Sequence, residues 1–211
     1  MGCPTVGWVT TEPNDEARPN GGTLDWEHLG SRYADNLILF QTRFDQMRHP
    51  TSGRVFERIV LESVDWVNCV AIDQTGQLVM VRQFRFGSGY TTLETPGGMV
   101  DEGEDSQQAA RRELLEETGY GGGTWRYLGA VEPNPAFHDN LCHHWLGVGV
   151  ELVQAPGPGA GEHLRVELMS PETVVAAART GEIRHALALS VLGRVLDLWP
   201  RPPSGYQPAG A

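Results

Sequence analysis

The chain is poor in cysteine and has far fewer basic residues than acidic ones. It has three cysteines in 211 residues, and 16 Lys and Arg against 27 Asp and Glu. The odd number and wide spacing of Cys3, Cys69 and Cys142 predict free thiols in a reducing compartment, and therefore a cytoplasmic protein. The formal charge of −11 argues against general nucleic-acid binding, because contacts to phosphates require clustered Lys and Arg.

The chain also has no long apolar run. None approaches the roughly 18 residues that a membrane-spanning helix needs, and the N-terminus does not have a basic segment followed by an apolar one. We therefore expect neither a membrane span nor export. A length of 211 residues with 40% hydrophobic content predicts one main globular domain with extensions.

Composition along the chain suggests four segments. The first thirty residues are rich in Pro, Asn, Gly and acids and have little periodicity, and the last twelve contain four prolines. The predicted segments are a flexible arm at 1–30, a β-hairpin region at 31–63, a main domain at 64–199 and a disordered tail at 200–211.

Strands dominate the predicted secondary structure, and a few helices follow them. Apolar and β-branched runs bounded by turn residues predict the strands, and Ala, Leu and Val at helical spacing predict the late helices. The predicted strands are 36–46, 54–62, 66–72, 77–86, 125–131, 141–152 and 164–169, and the predicted late helices are 171–179 and 182–198. This succession predicts a mixed α/β sandwich.

Residues 98–120 contain three glutamates that share one side of a predicted helix. Glu113, Glu116 and Glu117 fall within an arc of roughly 100°, and like charges this close repel one another. A positive charge must therefore lie between them. Hard oxygen ligands suit Mg²⁺ or Mn²⁺, and Mg²⁺ commonly completes its shell with substrate phosphates, so the pattern indicates phosphate chemistry.

The same segment contains signals for both ends of the helix. Asp105, with Gln108 three residues later, nearly matches a capping box, and Gly119 stands where helices commonly end in a left-handed residue. Arg112 lies two turns beyond Glu104. We expect an ion pair between them to connect the preceding loop to the helix.

These residues resemble a known family. The spacing that begins at Gly98 and runs through Glu104, Arg112 and Glu113 to Tyr120 is similar to the complete Nudix box, with nine matching positions over 23 residues. The family hydrolyses nucleoside diphosphates linked to another moiety, and the resemblance implies an α/β/α sandwich with a mixed sheet. It also implies that Glu113, Glu116, Glu117 and the carbonyl of Gly97 bind the metal, and that Glu104 and Arg112 form a mainly structural pair.

Two further segments resemble the ADP-ribose pyrophosphatase branch of this family. Residues 79–87 and 93–98 are similar to it, as is Pro135, fifteen residues after Tyr120. The resemblance implies that Arg85 contacts the diphosphate, with Arg82 as a second candidate, since an acidic site needs fixed cations to accept an anionic substrate. It also implies a homodimer that forms through the N-terminal strands.

The remaining candidate residues concern the substrate and the general base. Trp66 is a candidate for stacking on a base, Phe137 and His138 are candidates for contact with the sugar, and Gly98 is a candidate for substrate binding. The related enzymes place a catalytic glutamate in a loop before a late strand, which suggests Glu162 in a lid loop. Glu167 and His163 are rivals for this role, and Glu116 is the fallback.

The leading interpretation is hydrolysis of a nucleoside diphosphate sugar, with ADP-ribose giving AMP and ribose 5-phosphate after attack of an activated water on phosphorus. One alternative is another Nudix substrate: a different sugar nucleotide, NADH, a dinucleoside polyphosphate or an oxidised nucleotide. A second is a non-catalytic sensor of ADP-ribose or a similar ligand. Such a sensor would be expected to lose a box glutamate or to carry a DNA-binding domain, and neither feature is visible in the sequence.

Overall fold

The computed structural model describes residues 24–157, 159 and 163–199. In chain order the elements are β1 Glu27–Asn36, β2 Gln41–Arg48, β3 Val55–Glu62, β4 Trp66–Asp73, β5 Leu78–Arg85, β6 Tyr90–Glu94, β7 Gly97–Met99, α1 Ser106–Thr118, β8 Tyr120–Val131, β9 Cys142–Leu152, β10 Leu164–Met169, α2 Pro171–Thr180 and α3 Ala186–Leu192. No helix in these ranges is both long enough and apolar enough to span a membrane.

The described chain divides into two units, and the first contains residues 24–64 and 132–140. Its three-stranded antiparallel sheet has the order β1-β2-β3. A polar centre lies within it, where Ser31 Oγ donates to Asp45 Oδ1 at 2.6 Å and Arg43 Nε donates to the same oxygen at 2.9 Å. The loop at 132–140 joins this unit because the Leu61 N–H donates to the Phe137 carbonyl at 2.7 Å.

The first strand differs from the expectation for this region. β1 begins at Glu27, within the segment expected to be a flexible arm. It pairs with β2 through a register shift near Gly30, and this irregular pairing explains why the sequence shows no alternation of strand residues. The apolar run at 37–39, expected in a strand, forms a turn instead. There the side-chain oxygen of Asn36 accepts the Ile38 N–H at 2.9 Å.

The second unit, residues 65–131 with the described residues from 141 onward, is built on a seven-stranded sheet. Its main order is β10-β5-β4-β9-β8, with β6 beside β5 and β7 beside β4. The β4–β9 pair is parallel and the other pairs are antiparallel, so the sheet is mixed. This confirms a mixed α/β fold.

Helices cover both faces of this sheet. Successive residues of β4 belong to two different apolar clusters, one on each face. Val67, Cys69 and Ala71 belong to a cluster that includes Leu114 of α1, whereas Val70 belongs to a second cluster that includes Val191 of α3. Successive strand residues point to opposite faces, so one strand contributes to both layers. The result is the expected α/β/α sandwich.

Two element boundaries also differ from the sequence expectations. β8 begins at Tyr120 rather than near 125, since three consecutive glycines conceal the strand pattern there. Gly123 is one of them, and a Cβ at this position would lie 2.7 Å from the Val148 carbonyl oxygen. α3 covers Ala186–Leu192, far less than the expected 182–198, and Gly193 follows it as the C-cap.

Several expectations lie outside the described residues. These are most of the arm, the tail at 200–211, Cys3 and Glu162. Cys69 and Cys142 are free and buried, as the cysteine count suggested.

Candidate active site

The acidic helix α1 has the ends that its sequence indicates. Asp105 accepts the backbone N–H groups of Gln107 and Gln108, each at 2.8 Å, while the Gln108 side chain accepts the Asp105 N–H at 3.0 Å. This reciprocal capping box satisfies donors that the first turn leaves unpaired. At the other end, Gly119 adopts φ 75° and its N–H bonds to the Leu115 carbonyl at 2.8 Å. The predicted caps are therefore confirmed.

Arg112 is the positive charge among the glutamates in the described structure. It forms the expected pair with Glu104, with Nη2 to Oε2 at 3.0 Å and Nε to Oε1 at 3.1 Å. Its Nη1 also donates to Glu113 at 2.8 Å and to Glu116 at 3.2 Å. One guanidinium therefore offsets repulsion among three carboxylates.

The contacts between Arg112 and Glu104 shift the pKa values of the two groups in opposite directions. The hydrogen bond from Arg112 holds the pKa of Glu104 below its usual value. The same bond to Glu104 is the largest cause of the raised pKa of the Arg112 guanidinium. Both residues are therefore charged throughout the physiological range. Arg112 Nη2 also donates to the Met99 carbonyl at 2.9 Å, which connects α1 to β7.

Two glutamates of α1 lie against the glycine backbone of β7. Glu117 is only 3% exposed and its Oε2 accepts the Gly97 N–H at 3.1 Å. At Gly98, a Cβ would lie 2.4 Å from the carboxylate carbon of Glu113, so a larger residue there would displace this carboxylate. Burial, together with the negative charges of Glu117 and Glu113, raises the pKa of the Cys69 thiol beneath them.

The donor chemistry of this region fits a hard divalent cation. Carboxylate and carbonyl oxygens are the ligands that Mg²⁺ and Mn²⁺ prefer, and glycine at 97 and 98 leaves the backbone open to the helix carboxylates. Within the described ranges, however, no three His, Cys, Asp or Glu side chains are gathered into a metal-binding group. Arg112 Nη1 contacts one oxygen each of Glu113 and Glu116, at 2.8 and 3.2 Å.

The two candidate arginines of β5 are both paired with glutamates. Arg85 makes a bidentate contact with Glu94, at 2.9 Å from Nε and 2.6 Å from Nη2. Arg82 contacts Glu167 at 2.8 Å and Glu182 at 2.5 Å. The structure therefore fixes where each guanidinium lies, and neither arrangement was visible in the sequence.

Glu94 is fully buried, and neighbouring groups stabilise its negative charge. Burial by itself would raise the pKa of this carboxyl, but the hydrogen bonds from Arg85 and Thr92 and the nearby His185 bring the pKa below its usual value. His185 Nδ1 lies 3.5 Å from Glu94 Oε2. Glu94 stands in the 93–98 segment noted above, but the sequence assigned it no role.

The candidates for the general base lie in different environments. Glu167 lies in β10 and accepts hydrogen bonds from Arg82 and Arg165, which lower its pKa against the opposing effect of burial. A base for neutral pH is better served by a pKa near 7, so this environment does not favour Glu167. His163 is exposed directly before β10, and Glu116 has a half-exposed side chain on α1.

The two aromatic candidates lie in different units. Trp66 begins β4, opposite Met99 of β7 and Cys142 of β9, and is partly buried. Phe137 is 38% exposed in the loop of the first unit. The sequence also missed Asn68, a buried amide in β4. Its only signal is a polar residue in the otherwise apolar run from Trp66 to Ile72.

Comparison with known proteins identifies the family of this chain. Residues 64–189 match the NUDIX domain model. The chain is also 32% identical, over 171 residues, to the ADP-ribose pyrophosphatase of Mycobacterium tuberculosis, a match that covers 79% of this chain and 81% of that protein. The chain therefore belongs to the Nudix family of hydrolases.

Other relatives agree with this assignment. The ADP-ribose pyrophosphatase of Bacillus subtilis is 30% identical over 49% of this chain and 56% of its own length. The ADP-sugar pyrophosphatase of Mus musculus is 37% identical over 75% of this chain and 66% of its own length. A solved structure of an ADP compounds hydrolase shares the fold, with a TM-score of 0.70 and 20% identity over 83% of this chain and 95% of that one.

Proposed function

We propose that the protein is a pyrophosphohydrolase that needs a divalent cation and cleaves a nucleoside diphosphate sugar. ADP-ribose is the leading substrate, with AMP and ribose 5-phosphate as products. The observation that carries the proposal is the placement of Glu113 and Glu117 of α1 against the Gly97–Gly98 backbone. The relatives named ADP-ribose pyrophosphatase support the choice of substrate.

The residues proposed to hold the cation are Glu113, Glu116, Glu117 and the carbonyl oxygen of Gly97. When bound, Mg²⁺ or Mn²⁺ would offset charge on the phosphate oxygens and make the attacking water more acidic. Arg112 has a positioning role in this proposal. Its bonds to Glu104 and to the Met99 carbonyl, at 3.0 and 2.9 Å, fix the side of α1 that faces β7.

Substrate binding is assigned to residues with complementary chemistry. Arg85 is proposed to contact the diphosphate, since its bidentate pair with buried Glu94 fixes its guanidinium in one orientation. Arg82 is the second proposed cation on β5. Trp66, Phe137 and Gly98 are proposed to contact the base, the sugar and the phosphates, in that order.

Glu162 is the proposed general base. It stands in the Gly- and Pro-rich stretch before β10, where a closing loop would exclude bulk water. Glu116 is the second choice, because its side chain is 48% exposed and contacts one arginine, Arg112, whereas Glu167 is engaged by two arginines. His163 remains a third candidate.

Hydrolysis of a substrate panel with Mg²⁺ tests the proposal. We expect cleavage of ADP-ribose to AMP and ribose 5-phosphate. Faster cleavage of another sugar nucleotide, NADH, a dinucleoside polyphosphate or an oxidised nucleotide would reassign the substrate. Tight binding of ADP-ribose without turnover would contradict the enzymatic proposal and indicate a sensor.

Three variants and one control test the assigned roles in the same assay. Glu116→Gln and Glu117→Gln should each lower turnover roughly 100-fold or more, since the cation's charge stabilisation is worth several kcal/mol. Glu162→Gln should lower kcat about 100-fold if this residue is the base. Glu102→Gln is the matched control, because this exposed box residue has no assigned role. Full activity in both helix variants would remove those glutamates from the site.

We also propose a homodimer in a reducing compartment. The first unit exposes large apolar side chains, which in a soluble monomer would face water without compensation. They include Tyr33, Leu37, Ile38, Leu39, Val55 and Ile59. The two free, buried thiols in the described chain agree with a reducing compartment.

A further inference from the structure

Asn68 is a buried amide in the centre of β4. It is 5% exposed, and its chain neighbours Val67 and Cys69 are 1% and 0% exposed. A polar group in such surroundings costs free energy unless it is hydrogen-bonded. The contacts of Asn68 therefore show what keeps an amide in an apolar strand.

All the donor contacts of Asn68 are with the segment that leads into β7. Its Nδ2 lies 3.5 Å from the Thr95 carbonyl oxygen, 3.3 Å from Thr95 Oγ1 and 3.5 Å from the Pro96 carbonyl oxygen. Carbonyl oxygens only accept hydrogen bonds, so the NH₂ group must face them. The amide oxygen then faces the opposite way.

A buried thiol fixes this orientation of the amide. Cys142 Sγ donates to Asn68 Oδ1 at 3.4 Å, and Cys142 is 0% exposed. Burial raises the pKa of the Cys142 thiol to about 12, so the group keeps its proton at neutral pH. Cys142 can therefore act as a permanent, if weak, donor.

The segment that Asn68 contacts is held tightly on both sides. The Cys69 N–H donates to the Pro96 carbonyl at 3.0 Å. Gly97 lies directly on β4, where a Cβ would come within 2.1 Å of the Val67 carbonyl oxygen and 2.7 Å of Asn68 Nδ2. From the helix side, the Gly97 N–H donates to Glu117 at 3.1 Å.

We propose that Asn68 is a positioning residue for the divalent cation. It holds the backbone of Thr95 and Pro96 on β4, and this sets the peptide of Gly97 and, through its N–H, the carboxylate of Glu117. The inference rests on the proposed metal site, in which the Gly97 carbonyl and Glu117 are ligands. Groups that orient the ligands of a metal commonly change its affinity 10- to 100-fold when they are removed.

Metal binding without turnover is the decisive measurement. Mn²⁺ is titrated into the full-length protein, and free Mn²⁺ is counted by electron paramagnetic resonance. Asn68→Leu keeps the branched shape of the side chain but removes both donors and the acceptor. We expect its Kd for Mn²⁺ to rise at least about tenfold relative to wild type.

A matched variant separates positioning from the general cost of losing a buried amide. Asn140 is 3% exposed and donates to the Val64 carbonyl at 3.1 Å, away from the 95–98 segment in the chain. Asn140→Leu should lower the melting temperature without changing the Kd for Mn²⁺. Equal weakening of Mn²⁺ binding in both variants would overturn the proposal, since the effect would then reflect stability alone.

A further variant keeps the test decisive if Asn68→Leu does not fold. Asn68→Thr suits a strand, but its shorter hydroxyl cannot replace the amide contacts, so we again expect weaker Mn²⁺ binding. Unchanged affinity in Asn68→Thr would overturn the inference.

Mn²⁺ binding by the wild-type protein distinguishes a failure of the proposed function from a failure of the proposed role of Asn68. A wild-type protein that takes up no Mn²⁺, even with a nonhydrolysable nucleotide present, would contradict the proposed function itself. Uptake by wild type, with the same affinity in the folded Asn68 variants, would refute only the role of Asn68.

Discussion

Every basic residue that is not histidine in this chain is an arginine, and the ion pairs use its planar geometry. Arg85 contacts both oxygens of Glu94, and Arg112 contacts both oxygens of Glu104. Arg112 also donates to Glu113 and Glu116. It therefore makes an acidic helix tolerable before any cation binds, and lysine, with its compact ammonium, could not form the same set of contacts.

His144 gives a prediction about pH at the scale of one residue. It is 0% exposed, and neither ring nitrogen has a hydrogen-bond partner among the described residues. Burial, with smaller contributions from Arg194 and His143, lowers the pKa of His144 to about 4. The folded protein therefore holds this imidazole neutral where the unfolded chain, with a pKa of about 6.5, already binds a proton.

The sign of the effect follows from proton binding. Between about pH 6.5 and 4 the unfolded chain binds more protons than the folded one, so stability falls as pH falls, by up to roughly 3 kcal/mol. Urea unfolding of wild type and His144→Leu, from about pH 7.5 to about 4.5, measures this contribution. The variant should lose less stability than wild type on acidification. A difference between the two that does not change with pH would contradict the assignment.

At the scale of the secondary-structure element, the stability of helix α1 depends on its N-terminal cap. Asp105→Ala removes the acceptor for the Gln107 and Gln108 N–H groups and should lower the free energy of unfolding by about 1 kcal/mol. Asp105→Asn keeps an acceptor and should differ from wild type by much less. Urea unfolding compares the three proteins. Wild-type stability of the alanine variant would show that this cap does not stabilise the helix.

At the scale of the whole molecule, the prediction is that the protein dimerises through its first unit. Sedimentation at micromolar concentration should give the mass of a dimer. Ile59→Glu should shift it toward a monomer, because a charge at an apolar interface is not solvated. Ile59 is 48% exposed on β3, and Val148→Glu in the second unit, at 47% exposure, is the matched control. A monomeric wild type with full activity would refute the dimer.

Some features could be predicted because they depend on neighbours in the chain. The capping box at Asp105, the left-handed Gly119 and the Arg112–Glu104 pair all lie within or beside α1, and the spacing of residues 98–120 identified the family. β1 was missed because its register with β2 shifts near Gly30, which obscures the alternation of strand residues. The glycines that open β8 likewise hide a strand whose hydrogen bonds come from β9.

The acidic helix, its two ends and the family could be recognised in the amino-acid sequence, since the residues that specify them are separated by at most a few helical turns. Three contacts became visible in the packed fold: Arg112 bridges Glu113 and Glu116, Glu94 fixes Arg85, and Asn68 lies against Gly97. Side-chain partners depend on which strands become neighbours in the sheet and on which way each side chain points. Such contacts arise only when distant segments pack, so local spacing cannot reveal them.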